Sequence, residues 1–178
     1  MRKWVTFFSQ TGSEIYNLTQ KLDRYPDIIV TNKEISNGIN KSLLKTLPVN
    51  TQFIAIPNKP TLEDYHSIIP DNSIVTLHGW LRIVPAEICK KYEIYNLHPA
   101  NLLLHPHLKG KDPQKRAVAE LQKWSGNTIH RCTAELDGGE IIATSKVLIE
   151  SMFEFEAIYE IHKDATELWF NFLKEKLS

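Results

Sequence analysis

The sequence predicts an α/β fold: one Rossmann-like domain with a mostly parallel sheet, flanking helices, and a C-terminal hairpin and helix. Three observations carry this. Apolar runs of strand length alternate with stretches long enough for crossover helices, which is the pattern of a parallel sheet. The first run passes through Gly12 into a helix-like stretch, the opening of a βαβ unit. Near the C-terminus two β-prone runs flank Leu136-Asp137-Gly138-Gly139, and an amphipathic segment follows. The 178 residues suit a single domain, 1–178, and 42% hydrophobic with 24% charged residues excludes disordered, collagenous and membrane-spanning classes.

The elements follow in order. An aromatic-rich strand is predicted over 3–9 and a helix over Ser13–Leu22, after the turn Gln10-Thr11-Gly12. Buried strands follow at 27–31 (DIIVT), 52–56 (QFIAI) and 73–78 (SIVTLH), with Pro26, Pro48, Pro57 and Pro70 near their ends. Pro85 starts a short helix, AEICKKY, since proline's missing donor is not needed in a first turn. A fifth strand is expected at 93–97 (EIYNL), then a loop to Asp112 and a helix over 113–124. Strands at 128–135 and 140–147 form the hairpin, whose glycines tolerate the positive φ of a tight turn. Phe155, Ile158, Ile161, Leu168, Trp169, Phe172 and Leu173 recur at helical spacing and close the chain.

Charge narrows the partners. Lys plus Arg number 21 and Asp plus Glu number 21, so no net field draws the chain to nucleic acid or an anionic membrane, and a small molecule is expected instead. Cys89 and Cys132 are too few for a disulfide framework and have no zinc-ligand spacing. The opening MRKWVTFFSQTG has too few apolar residues for a signal or spanning segment, so a cytoplasmic location is expected.

Three places offer chemistry. His98, His105 and His107 share one loop, but no Cys lies nearby and no HExxH pattern is present, so no metal is expected. The Gly12 turn offers helix-terminal donors to a phosphate, although it is neither a Walker loop nor a full GxGxxG. The third place is Asn96-Leu97-His98-Pro99 at a strand's carboxyl end, where ligands of open parallel sheets sit. Strand alternation points Asn96 and His98 to one face, and Asp137 is placed to orient His98 and favour its charged form. Amide, imidazole and carboxylate suit a reaction that develops an oxyanion and moves a proton. The competing reading is that Asn96 and His98 satisfy a turn while Asp137 suits a hairpin.

The segments VTLHGWLRIVP (75–85), NLHPANLL (96–103) and GNTIHRCTAELDGGEII (126–142), in this order and separation, closely resemble the folate-dependent formyltransferases, most nearly the glycinamide ribonucleotide transformylases. The resemblance runs from the SQTGS turn to about Val147. It implies that Asn96, His98 and Asp137 are catalytic, that 10-formyltetrahydrofolate is the co-substrate, and that protonated His98 joins Asn96 in holding the oxyanion. It places the folate against Arg82, Val84, Ala134 and Asp137, gives His130 a supporting role, and requires no metal. The acceptor implied is a primary amine on a small, phosphorylated molecule held by Gly12, Ser13 and Glu14.

The chain departs from that pattern at Glu14, where the family has Asn, and at Leu104, where it has Pro. The longer loop concentrates Lys109, Lys111, Lys115 and Arg116, which reads either as a solvated helix start or as capture of a phosphorylated acceptor. Sugar-nucleotide formylation, hydrolysis of the same folate, and folate binding without turnover are the alternatives. Methionyl-tRNA formyltransferases share the motifs but carry a second, C-terminal domain, and this chain is expected to be the catalytic core alone. Oligomeric state is not legible.

Overall fold

The computed structural model describes residues 2–34 and 38–178, which form two compact units: Met1–Tyr95 with Lys174–Ser178, and Asn96–Leu173.

In the first unit the chain runs through β1 (Lys3–Phe8), α1 (Ser13–Leu22), β2 (Ile28–Thr31), α2 (Lys41–Thr46), β3 (Gln52–Ala55), α3 (Leu62–Ile68), β4 (Ser73–Leu77), α4 (Ala86–Lys91) and the first half of β5 (Glu93–His98). Strands β1, β2, β3 and β4 pair in parallel, and the hydrogen-bonded order is β3-β2-β1-β4-β5. The chain therefore moves outward from β1 to β2 and β3, then returns to place β4 on the other side of β1. This reversal makes the carboxyl ends of β1 and β4 the switch point of the sheet, where ligands of such folds bind.

Burial explains why β1 is apolar beyond Lys3 except at Thr6. Trp4, Val5, Phe7 and Phe8 are all inaccessible or nearly so, as expected of a strand covered on both faces. Phe8 packs with Ile15, Ile29, Ile39 and Leu43, while Phe7 meets the edge of Trp80 at a ring separation of 5.4 Å. Gly12, at φ 74, makes the left-handed turn that starts α1, and a Cβ there would approach Leu43 to 2.9 Å. Thr61 and Asp64 close a capping box on α3.

The second unit holds the end of β5, a 3₁₀ turn (Pro106–Leu108), α5 (Pro113–Ala119), β6 (Trp124–Ser125), β7 (Thr128–Arg131), β8 (Ile141–Thr144), β9 (Val147–Leu148) and most of α6 (Glu154–Lys176). Strand order continues from β5 to β7 and β8, which completes a mostly parallel seven-stranded sheet with flanking helices. The β7–β8 pair is antiparallel with an irregularity at Ile129/His130, and β6 pairs antiparallel with β9. Ala100, Leu102, Leu108, Ala117, Ile149, Ala157 and Ile161 form the unit's core.

Three predicted boundaries are corrected here. The helix expected to reach Trp124 stops at Ala119, because Leu121 adopts φ 55 and the Leu121 and Gln122 N–H groups turn back to the Val118 and Ala117 carbonyls. The strand expected over 140–147 breaks at Ser145, whose backbone bonds Asn127 instead, so that Val147 enters β9. The tight turn expected at Asp-Gly-Gly is the far end of a longer loop over 132–140, and Asp137 itself holds the positive φ, 49°. Gly139 is required for a different reason: a Cβ there would lie 1.7 Å from the Arg131 carbonyl oxygen.

Candidate active site

Strand β5 delivers Asn96 and His98 at its carboxyl end, β7 delivers His130, and the loop after β7 delivers Asp137. These four of the predicted residues come together in the second unit. Asp137 is the hub: its Oδ2 lies 3.2 Å from His98 Nδ1 and accepts the Gly110 N–H at 3.0 Å, while its Oδ1 lies 3.4 Å from His130 Nε2. Asn96 Nδ2 stands 3.3 Å from the same His130 nitrogen. His130 is thus both a packed strand residue and part of the cluster.

The loop of 108–110 holds this geometry from below. His98 Nε2 donates to the Leu108 carbonyl at 2.7 Å, and a carbonyl can only accept, so Nε2 carries a proton. Gly110, at φ 83, aims its N–H at Asp137. Arg116 fastens the loop, with its two terminal nitrogens donating to the His107 and Lys109 carbonyls at 2.6 and 2.9 Å.

Two electrostatic effects oppose each other at His98. Burial is the largest influence on His98 and lowers its pKa; the Asp137 charge and the Leu108 carbonyl pull it upward but are outweighed, with His130 and Arg116 adding to the lowering. Each ring nitrogen of His98 thus faces an acceptor, Nε2 the Leu108 carbonyl and Nδ1 the Asp137 carboxylate, and the Asp137 charge opposes the effect of burial on the ring. For Asp137, burial works to raise the pKa, yet the hydrogen bond from His130, the His98 charge and the Gly110 N–H together lower it, so the carboxylate stays ionised.

The remaining predicted residues lie as follows. Ala134 is exposed in the same loop as Asp137. Lys109 pairs with Glu135 at 3.4 Å, and Lys111 is exposed. With Arg116 committed to backbone carbonyls, the basic cluster is partly structural. In the first unit, Arg82 binds the Asn58 backbone carbonyl and side chain, and Val84 is buried. Gly12 and Ser13 open α1, and Glu14 Oε1 pairs with His78 Nδ1 at 2.7 Å. His105 and His107 bond the Trp124 carbonyl and Glu120. Among the described residues no group of three or more His, Cys, Asp or Glu is arranged to hold a metal ion. A surface hollow of about 300 Å³ in the second unit, lined by Lys146, Val147, Glu160, Lys163, Asp164 and Glu167, includes none of the predicted site residues.

His78 and the 108–110 loop are the contributions that the sequence did not reveal. The loop acts through backbone atoms, which leave no mark on residue type, and His78 is 64 positions from Glu14.

An amide, two imidazoles and an ionised carboxylate gathered on an α/β sheet are groups able to polarise a carbonyl and move a proton. The chain belongs to the formyl transferase family, whose model matches residues 3–171. It is 32% identical over 136 residues to a methionyl-tRNA formyltransferase of Thermotoga neapolitana, an alignment that covers 70% of this chain and 42% of that protein. It is 26% identical over 160 residues to a phosphoribosylglycinamide formyltransferase of Dictyostelium discoideum, covering 75% of this chain and 74% of that one. The chain thus spans less than half the length of the Thermotoga relative. Among solved structures, phosphoribosylglycinamide formyltransferase from Campylobacter jejuni superimposes with a TM-score of 0.81 and 26% identity, over 100% of this chain and 99% of the other.

Proposed function

We propose that the protein is an N-formyltransferase that moves the formyl group of 10-formyltetrahydrofolate to a primary amine of a small acceptor resembling glycinamide ribonucleotide. The observation that carries this reading is the ionised Asp137 bonded to His98 and His130 beside Asn96, in a chain of the formyl transferase family.

In this reading the acceptor nitrogen attacks the formyl carbon, a C–N bond forms, and the bond to the folate N10 breaks. Asn96 Nδ2 donates to the oxyanion of the tetrahedral species. The proton that the amine sheds is taken up at the His98–Asp137 pair and returned to the departing N10. Donors of this kind are worth on the order of 100- to 1,000-fold in turnover. Arg82, Val84, Ala134 and Asp137 are read as folate-binding, Gly12, Ser13, Glu14, Lys109 and Lys111 as acceptor-binding.

Residues 1–178 are read as one catalytic domain, since a single family match runs across both units. The balanced charge supports a small-molecule partner over nucleic acid, and no helix among the described residues is long and apolar enough to cross a membrane. We read the compartment as cytoplasmic.

The test is incubation of the full chain with 10-formyltetrahydrofolate, with and without glycinamide ribonucleotide, following tetrahydrofolate release and the mass of the acceptor. Acceptor-dependent release with a formylated amine supports the proposal. Acceptor-independent formate would make the protein a hydrolase, and binding without turnover a folate-binding module.

A further inference from the structure

Beyond the carboxyl ends of β1 and β4 a side-chain pair joins the two following segments. Glu14, in the first turn of α1, reaches over to His78, which directly follows β4, with Oε1 and Nδ1 separated by 2.7 Å. The His78 side chain is fully buried, while that of Glu14 keeps 27% of its surface. The imidazole is anchored from beneath. Its Nε2 lies 2.8 Å from Thr76 Oγ1, and that oxygen accepts the Trp4 indole N–H at 2.9 Å. Since indole can only donate, the Thr76 hydroxyl proton is free to point at His78 Nε2, and the Nδ1–H of the ring then donates to Glu14. Both ring nitrogens and the Thr76 hydroxyl are then satisfied, and Glu14 Oε1 is held beside the end of β4.

The rest of the turn matches this polarity. Ser13 N–H turns to Thr11 Oγ1 at 3.3 Å, the Thr11 and Ser13 hydroxyls share a hydrogen bond at 2.9 Å, and Asn40 Nδ2 donates to Ser13 Oγ at 3.0 Å. A helix N-terminus attracts a phosphate through its unpaired N–H groups and its partial positive charge. In α1 the Ser13 N–H is already answered, and the Glu14 carboxylate supplies the negative charge of the first turn. With Oε1 committed to His78, a ligand at this turn would meet Oε2, and a carboxylate oxygen only accepts.

We propose that Glu14, clamped by buried His78 at the switch point of the sheet, is a specificity-determining residue that directs the 11–14 turn toward hydroxyl or ammonium groups of the acceptor and against phosphate. This rests on the reading of the turn as acceptor-binding and departs from the likeness to glycinamide ribonucleotide at one point: the acceptor meets the turn through a hydrogen-bond donor and not through a phosphate.

The experiment is calorimetric titration of glycinamide ribonucleotide and of its dephosphorylated nucleoside into the full chain and into Glu14→Gln. Glutamine keeps an acceptor oxygen for His78 and removes the charge. The wild-type chain binds the nucleoside at least tenfold more tightly than the nucleotide, and Glu14→Gln erases or inverts that ratio. A wild-type chain that prefers the nucleotide or binds neither, or a ratio that Glu14→Gln leaves unchanged, overturns the assignment. Formyl transfer measured in parallel separates the two levels. The expected ratio without turnover overturns the catalytic reading alone, and turnover with an unchanged ratio overturns the role of Glu14 alone.

Discussion

His98 and Asp137 are joined twice. They meet directly at 3.2 Å, and they meet again through one loop, whose Leu108 carbonyl accepts from His98 Nε2 and whose Gly110 N–H donates to the Asp137 oxygen that faces His98. The closed ring fixes both the tautomer of the imidazole and the orientation of the carboxylate. Replacing Asp137 with Asn keeps an oxygen for Gly110 but removes the charge that stabilises a protonated His98. Turnover is expected to fall on the order of 100- to 1,000-fold while the chain stays folded. Steady-state kinetics with circular dichroism checks both halves, and near-normal turnover in Asp137→Asn contradicts the assignment.

The lowered pKa of His98 has its own consequence for pH. A histidine with a depressed folded value contributes stability that is fully present above the unfolded value of 6.5 and is lost as pH falls through the lower folded value. Denaturant midpoints of the wild type are therefore expected to decline below 6.5, and those of His98→Gln to decline less. If neutral His98 accepts the amine proton, the acid limb of kcat lies below the ordinary histidine range as well. An acid limb above 6.5 would mean that the protonated ring is the working form.

The apolar runs were legible because burial on both sheet faces demands hydrophobicity, strand alternation put Asn96 and His98 on one face, and the resemblance to the formyltransferases tied Asp137 to them. The direction in which the His98 pKa moves was not legible: the charge of Asp137 is visible in a sequence, whereas the larger effect, desolvation, exists only after folding. The same holds for the left-handed Leu121 and Asp137, where tertiary packing overrides residue preference. The Glu14–His78 pair joins residues with no shared motif, and only the parallel pairing of β1 with β4 brings them together.

Arg116 is a positioning residue for this site. Its planar fork spans the His107 and Lys109 carbonyls, which flank Leu108, the acceptor for His98. Replacing it with Met frees the loop, and kcat is expected to fall about tenfold, since small misplacements of a reacting group are costly. Lys cannot span both carbonyls and should not restore the rate. A readout specific to positioning is the acid limb of kcat: the Arg116 charge helps lower the His98 pKa, so its loss moves that limb upward. An unchanged limb in Arg116→Met separates the loop from the histidine.

Glu93 offers a stability prediction away from the chemistry. Burial works against its charge, but Arg2, the Tyr95 hydroxyl and Lys176 outweigh it and bring the pKa down to about 2. The depressed value means that this contribution is complete above 4.5 and disappears as pH falls from 4.5 toward about 2. Glu93→Gln is expected to cost about 1–3 kcal/mol at neutral pH, because it leaves charged partners of a half-buried carboxylate unpaired. The difference from wild type should shrink through the acid range in denaturant titrations, and a difference that stays constant from neutrality to acid contradicts the pairing.

Gly139 tests whether the loop carrying Asp137 is held by close backbone approach. A Cβ on Gly139 would sit 1.7 Å from the Arg131 carbonyl oxygen, whose residue also receives the Glu140 carbonyl at its own N–H, at 2.9 Å. No side-chain rotation relieves a clash between backbone atoms, so Gly139→Ala must move the end of β7 or the loop itself. Forced overpacking costs about 1–3 kcal/mol. Each of these segments carries a site residue, β7 His130 and the loop Asp137, so the variant is expected to lose activity far beyond its loss of stability. Gly110→Ala provides the contrast: nothing lies within 4 Å of its Cβ position, and only its φ of 83° opposes the substitution. A Gly139→Ala chain with wild-type midpoint and turnover would show that the 132–140 loop adopts another path.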